Sequence, residues 1–219
     1  MLQPSVRSDM SSALADAAAQ LGISLSAGAT AHLLDYVALI AKWNKVYNLT
    51  AVRDPAEMMT HHLLDSLAII APLTRRMAHG TLLDVGSGAG LPGVVIAICC
   101  PEIQVTCVDA VAKKATFIKQ VALELKLPNL VGLHGRIETI AQPFDVVCSR
   151  AFASLVDFTQ GSSSALSPTG LWMAMKGKHP ADELAALPAS IDVFHVEPLE
   201  VPGLAAERCI VWMSKKRLS

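Results

Sequence analysis

The sequence predicts an α/β fold: a mostly parallel seven-stranded sheet with helices on both faces, preceded by a helical extension. Three observations carry that prediction. From Thr81 onward, short aliphatic runs alternate with segments of helix length, the pattern of a parallel sheet covered on both sides. The first run, Thr81-Leu82-Leu83-Asp84-Val85, leads through Gly86-Ser87-Gly88-Ala89-Gly90 into Leu91-Pro92-Gly93 and an apolar helical stretch. Strand, glycine turn and helix start together form a cradle in which backbone approaches a ligand closely. The second run, Val105–Val108, ends on Asp109, where an acid meets a ribose hydroxyl pair in such folds.

Before Thr81 the spacing is helical. Asp9 is placed to cap a helix through Leu21, with Gly22 just past its end. Leu33, Leu34, Val37, Ile40 and Ala41 form one apolar stripe over a helix from Ala27 to about Val46. Asp54-Pro55 opens a third helix, with Asp as cap and Pro at the first position; Met58, Met59, His62, Leu63 and Leu67 mark its inner side. Strands are then expected at Thr81–Val85, Val105–Val108, Leu130–His134, Phe144–Ser149, Gly170–Lys176, about Val193–Val201 and Arg208–Ser214. Helices fall between them at about Leu91–Cys100, Ala112–Leu125, Leu155–Leu166 and Ala181–Leu187. No strong helix separates the last two strands, which predicts an antiparallel pair at one edge. Residues 1–79 are expected to form a helical extension packed on the core and residues 80–219 the main domain, as one structural unit.

Composition narrows the class. At 219 residues and 52% hydrophobic, the chain can bury a sizeable core, yet its longest apolar runs are far short of the ~20 residues that span a bilayer. Without a charged start followed by an apolar segment, it reads as unexported and cytoplasmic, with no membrane partner. Its five cysteines sit mostly among aliphatic residues, and neither a disulfide framework nor metal-ligand spacing appears; adjacent His61 and His62 point about 100° apart on a helix. No metal is expected. A net charge of −1 argues against a surface basic throughout, leaving local clusters such as Lys42 with Lys45, Arg75-Arg76, Lys113-Lys114, Lys176 with Lys178, and Lys215-Lys216-Arg217.

Polar and glycine signals follow five strand ends in turn: Gly86-Ser87-Gly88, Asp109, Gly135-Arg136-Ile137-Glu138, Ser149-Arg150 and Lys176-Gly177-Lys178. In an open parallel sheet that rim is where ligands bind. A dinucleotide enzyme calls for Gly-x-Gly-x-x-Gly; this chain has Gly86-x-Gly88-x-Gly90, no second domain, and a terminal hairpin. Those features favour a Rossmann-like class I S-adenosylmethionine-dependent methyltransferase, whose cofactor carries no phosphate.

The residues also match a known family. Trp43-Asn44-Lys45-x-x-Asn48-Leu49-Thr50, His62-x-x-Asp65-Ser66-Leu67 and Asp84-Val85-Gly86-Ser87-Gly88-Ala89-Gly90-Leu91-Pro92-Gly93 come first. Asp109 with Lys113-Lys114, Arg136-x-Glu138, Ser149-Arg150-Ala151-Phe152 and Met175-Lys176-Gly177 follow in the same order. On these motifs, spread over nearly the whole chain, the sequence resembles the bacterial ribosomal RNA small subunit methyltransferase G family, also called the glucose-inhibited division protein B family. The main departure is Ala110, where members often have serine. The resemblance implies methyl transfer from S-adenosylmethionine to N7 of one guanine in 16S rRNA, within naked RNA, a 30S particle or an assembly intermediate. It implies cofactor contacts at Gly86, Leu91, Ile137 and Glu138, with Arg150 beside the methyl group or the target base. The residues themselves add Ser87, Gly88 and Asp109 to the cofactor set, and Lys113, Lys114, Phe152, Lys176 and Lys178 as candidate RNA contacts. A monomer is expected.

Guanine N7 presents an in-plane lone pair, so no general base is required and placement of the reactants should dominate. The loop after strand 4, Ser149-Arg150-Ala151-Phe152, matches neither the Asn/Asp-Pro-Pro-aromatic loop of exocyclic-amine methyltransferases nor the nucleophilic cysteine of pyrimidine C5 enzymes. Structural readings stand beside the functional ones. Asp84 reads equally as an acceptor for loop amides and as a cofactor group. His62 and Asp65, one turn apart, read as a hydrogen-bonded pair fixing helix to sheet. Trp43, Asn44 and Asn48 read as ordering the Leu49-Thr50 turn. Phe152 suits a core position at least as well as stacking on an extruded base. Two other functions stay open: a small-molecule methyltransferase, which needs no basic rim, and a non-catalytic ribosome assembly factor, which would not need to keep the glycines and Asp109.

Overall fold

The computed structural model describes residues 4–150, 152 and 154–216. Seven strands form one sheet: β1 (Gly80–Val85), β2 (Ile103–Asp109), β3 (Leu130–His134), β4 (Phe144–Ser149), β5 (Leu166–Lys176), β6 (Ile191–Leu199) and β7 (Arg208–Lys215). Their order is β3-β2-β1-β4-β5-β7-β6, parallel from β3 to β5, with β7 antiparallel to both β5 and β6. The expected antiparallel pair is present, but its second strand lies inside. The patterns explain why. Cys209-Ile210-Val211-Trp212-Met213 is buried throughout and needs cover on both faces, whereas β6 carries Asp192, His195 and Glu197 and tolerates an edge.

The first helix, α1 (Pro4–Gln20), starts upstream of the expected cap, so Asp9 lies inside it. In α2 (Ala27–Tyr47), the Ser26 side chain accepts from the Ala29 N–H, and Asn48 closes the helix in the left-handed region at φ 49°. Asp54 caps the third segment as predicted, accepting from the Ala56 and Glu57 N–H groups at 2.8 and 3.2 Å. That segment is not a single α-helix. It runs as α3 (Pro55–Met58), a π-helical stretch (Met59–Leu64), α4 (Asp65–Leu67) and α5 (Ile70–Thr74).

On the sheet lie α6 (Gly93–Cys99), α7 (Ala112–Glu124), α8 (Leu155–Gly161) and α9 (Ala181–Ala185). Three boundaries near the site differ from expectation. Helix α6 starts at Gly93 and not Leu91, which lengthens the glycine loop; α8 stops at Gly161, and β5 begins at Leu166, four residues before Gly170. The N-terminal helices share one hydrophobic core with the sheet: Leu14, Leu33, Ile40, Leu63 and Leu67 pack in a cluster with Val94, Phe117 and Trp212. The opposite face buries Phe144, Phe158 and Trp172. Among the described residues no helix is long and apolar enough to cross a membrane.

Candidate functional site

The glycine turn is built around backbone that no side chain covers. Gly86 and Gly88 have φ of +65° and +59°, and a Cβ added to either would meet no atom within 4 Å. Gly90 is required for a different reason: a Cβ there would stand 2.4 Å from Val94 Cγ2. The turn is held from two sides. The buried Tyr36 hydroxyl of α2 donates to the Ala89 carbonyl at 2.7 Å, and Asp109 Oδ2 at the end of β2 accepts from the Gly88 N–H at 2.9 Å. Asp109 Oδ1 accepts from the Val111 N–H at 2.8 Å, and the Lys114 ammonium stands 3.9 Å from Oδ2.

Asp84 lies beneath the turn, fully buried, its Oδ2 accepting from the Gly93 N–H at 2.9 Å. Of its two readings, the loop-amide acceptor is the one the geometry realises. Burial pushes its carboxyl up to about 7, with the Gly93 N–H and Arg150 opposing the shift. A side chain at Gly93 would stand 2.3 Å from Cys107 Sγ and 2.9 Å from this carboxylate, so the helix can start here only on glycine.

Three cavities lie side by side on the carboxyl rim of the sheet. The first, about 240 Å³, is walled by Gly86, Asp109, Ile137, Glu138 and Phe152. The second, about 160 Å³, is walled by Leu49, Thr50, Gly86, Ser87, Gly88, Leu91, Lys114 and Arg150. The third, about 510 Å³, is walled by Glu57, His61, His62, Asp65, Arg150, Met175, Lys176 and Arg208. Gly86 is common to the first two and Arg150 to the last two.

The structure thus brings every expected cofactor residue to the first two cavities. Ile137 is buried and Glu138 exposed, both at the start of a 3₁₀ turn after β3. Arg150 closes the row, its Nη1 donating to the His61 carbonyl at 2.9 Å and standing 3.2 Å from Asp65 Oδ2. The expected RNA set divides. Lys114 lines the second cavity, while Lys113 and Lys178 are exposed and line none of the three. Lys176 lines the third cavity, but its ammonium is committed to Glu183 at 2.8 Å, and the Glu183 carboxylate also takes the Leu155 N–H. Phe152 stands with the first cavity and not the third, its ring packed on the core residue Phe158 at 5.6 Å. Ala151 of the same motif and Arg217 of the terminal basic cluster lie outside the described residues.

His62 and Asp65 are not bonded to one another as expected. His62 Nε2 pairs with Thr50 Oγ1 at 2.7 Å; the buried Asp65 carboxylate is held between Arg150 and Arg208, whose Nε stands 2.8 Å from Oδ1. The π-helical turn just before Asp65 re-aims these side chains, which an i, i+3 argument on a regular helix does not capture. Asn44, by contrast, orders the Leu49-Thr50 turn as expected, accepting from the Thr50 N–H and donating to the Val52 carbonyl, both at 3.0 Å. Arg208, Tyr36 and Glu57 were not singled out by the sequence. Arg208 had one signal, a cation at the carboxyl-rim end of the last strand. Among the described residues no group of three or more His, Cys, Asp or Glu side chains gathers as a metal site.

Comparison with known proteins places this geometry in a family. The profile of the rRNA small subunit methyltransferase G family matches residues 29–211. The chain is 68% identical over 202 residues to a protein of Polaromonas sp. strain JS666 named ribosomal RNA small subunit methyltransferase G, spanning 90% of this chain and 89% of the relative. It is 63% identical over 217 residues to the protein of that name from Albidiferax ferrireducens, spanning 94% and 97%. Among solved structures, a protein of Aquifex aeolicus described as a SAM dependent methyltransferase superposes with a TM-score of 0.56 at 17% identity, over 76% of this chain and 96% of that one, a likeness of fold. The chain belongs to the rRNA small subunit methyltransferase G family.

Proposed function

We propose that the protein transfers a methyl group from S-adenosylmethionine to N7 of one guanine in 16S rRNA, presented by a 30S particle or an assembly intermediate, and that it acts as a monomer in the cytoplasm. One arrangement carries the reading: three cavities in a row, the first pair sharing Gly86 and the second pair sharing Arg150. A ligand with a nucleoside at one end and an amino acid at the other suits the first pair, and an acceptor in the third cavity would meet it across Arg150, which walls both the second and the third.

The residues fit the cofactor. Bare backbone at Gly86 and Gly88 faces open space, and Ser87 Oγ, buried at the second cavity, has no partner. When bound, S-adenosylmethionine supplies an electrophilic methyl group. Asp109, with lone pairs beyond those taken by Gly88 and Val111, accepts from ribose hydroxyls. Ile137 offers an apolar wall to the adenine, Glu138 an acceptor at its edge, and Leu91 an apolar floor to the second cavity. Arg150, always protonated, cannot serve as a base; it holds guanine or phosphate oxygens in a fixed fork.

The choice of N7 is supported by how the buried carboxylate of the third cavity is occupied. Asp65 is taken by two guanidiniums. An acceptor that needs no deprotonation suits such a site, and rate then comes from alignment. The test is methylation of 16S rRNA in 30S particles, with mass mapping of the product, repeated on RNA carrying 7-deazaguanine at the modified position. Methylation of guanine and none of the analogue is expected. Transfer that persists on the analogue rules out N7.

A further inference from the structure

Resting on that reading, the structure assigns a docking surface to the RNA strand beside the target base: the end of α2 together with the start of α7. Two stretches meet there, residues 36–53 and 110–123, joined by Trp43, whose ring lies 5.4 Å from Phe117. These two stretches hold Lys42, Lys45, Arg53, Lys113, Lys114 and Lys119, and the acids stand at their ends: Asp35, Asp54, Asp109 and Glu124. Each of those acids is engaged, Asp35 by Arg7, Asp54 by the first N–H groups of α3, Asp109 by the Gly88 and Val111 N–H groups and Glu124 by Gln120, which leaves a cationic surface suited to a polyanion.

The same surface carries apolar groups that water does not favour. Val46 is 72% exposed, Tyr47 41% and Val111 40%. The Tyr47 ring is backed by Trp43 at 5.1 Å, and Trp43 by the fully buried Phe117, so a column of rings runs from the surface to the core. A half-exposed ring backed by the core, at the end of a helix that carries lysines, is the arrangement that stacks an unpaired base while cations meet the flanking phosphates. The surface is continuous with the site. Leu49 and Thr50, directly after Tyr47 and Asn48, wall the second cavity together with Lys114. Arg53 donates to Asn48 Oδ1 at 3.3 Å, keeping a further cation at the helix end. Tyr47 therefore stacks a base of the RNA, and Lys42, Lys45 and Lys113 take phosphates on either side.

Affinity for a 16S rRNA fragment and for 30S particles, measured by filter binding over a salt series, tests this independently of methyl transfer. Tyr47→Ala should weaken binding about 5- to 100-fold, and Tyr47→Phe should restore most of it. The triple variant Lys42→Ala, Lys45→Ala, Lys113→Ala should lower the slope of log affinity on log salt by about 2, at ~0.7 per phosphate of a single strand. S-adenosylmethionine affinity should stay at the wild-type value in all of them, and melting temperature should stay there in the lysine variant and in Tyr47→Phe, which keep the ring packed on Trp43. RNA affinity and salt slope unchanged in Tyr47→Ala and the triple variant would overturn the assignment, as would photocross-links from residue 47 to ribosomal protein in place of RNA. Wild-type protein that binds the RNA through this surface but methylates no guanine would instead overturn the proposed reaction alone.

Discussion

The Gly88 N–H donates to Asp109 Oδ2 at 2.9 Å, so the acid expected to meet the cofactor also shapes the loop that receives it. Its other oxygen takes the Val111 N–H and fixes the start of α7. Asp109→Ala should therefore cost more than a ribose contact. Loss of an ionised acceptor from a buried site is expected to lower unfolding stability by about 3 kcal/mol and S-adenosylmethionine affinity at least tenfold. Asp109→Asn keeps one acceptor oxygen and should fall between. Calorimetric titration and thermal melting on the same samples check both effects. Lost affinity with an unchanged melting temperature would mean the loop holds its shape without this acid.

Asp84 makes stability depend on pH in the direction opposite to an ordinary paired carboxylate. Its folded-state pKa is raised by burial from 3.8 to about 7. Between those values the folded protein holds a proton that the unfolded chain has released, so stability falls as pH rises from about 4 to 7 and is flat above. A shift of this size corresponds to a few kcal/mol at most. His62 contributes with the opposite sign: its pKa is lowered by burial, and its contribution is lost as pH falls below its unfolded value. Asp84→Asn keeps an acceptor for the Gly93 N–H and removes only the Asp84 contribution. Urea unfolding at pH 5 and pH 8 should give a smaller excess of stability at pH 5 for the variant than for the wild type; equal differences would refute the assignment.

The five thiols should be chemically silent. Burial pushes Cys99 up to about 12, Cys100 to about 11, and Cys107 and Cys148, both beside Asp84, well above the usual thiol range; Cys209 is raised as well. The thiolate is the reactive form, so native protein at pH 8 should react slowly with an aromatic disulfide reagent and quickly once unfolded. Single Cys→Ala variants should move melting temperature more than turnover. A covalent adduct between RNA and any of these sulfurs would contradict the N7 acceptor.

Periodicity exposed the strands because each is short, apolar and bounded by turn residues, and the glycine turn because its backbone must take positive φ. What it could not show is how elements are re-aimed. The π-helical turn at Met59–Leu64 rotates His62 and Asp65 onto different partners, and no residue pattern announces it. The place of β7 between β5 and β6 suits its five successive buried residues, but the pattern predicted only an antiparallel pair at the edge and not the order within it. Phe152 and Lys176 lie on the expected rim, and each meets a partner six or seven residues further on, the ring of Phe158 and the carboxylate of Glu183, that periodicity does not pair with it. Partnership between neighbouring elements is a property of the packed molecule.

The same holds for Arg150, Asp65 and Arg208, which meet from 58 to 143 residues apart. Asp65 is 5% exposed at its side chain, the two arginines 23% and 24%. Two cations on one buried carboxylate fix the Arg150 fork at the boundary between the second and third cavities. Arg150→Ala should cut methyl transfer at least a hundredfold while moving S-adenosylmethionine affinity little, and Arg150→Lys should recover only part, because an ammonium cannot reproduce the fork. Asp65→Ala removes the anion and leaves two guanidiniums crowded together. It should lower stability by ~3 kcal/mol, toward the lower end for buried pairs given the partly exposed arginines, and reduce turnover with it. Arg208→Ala separates holding from acting: Asp65 keeps Arg150, so turnover should fall less than in Arg150→Ala although the melting temperature drops. Single-turnover rates with saturating cofactor, set beside calorimetric cofactor affinity, resolve the three variants. If Arg150→Ala lost affinity and rate in equal proportion, the arginine would be a cofactor clamp and not the residue that positions the acceptor.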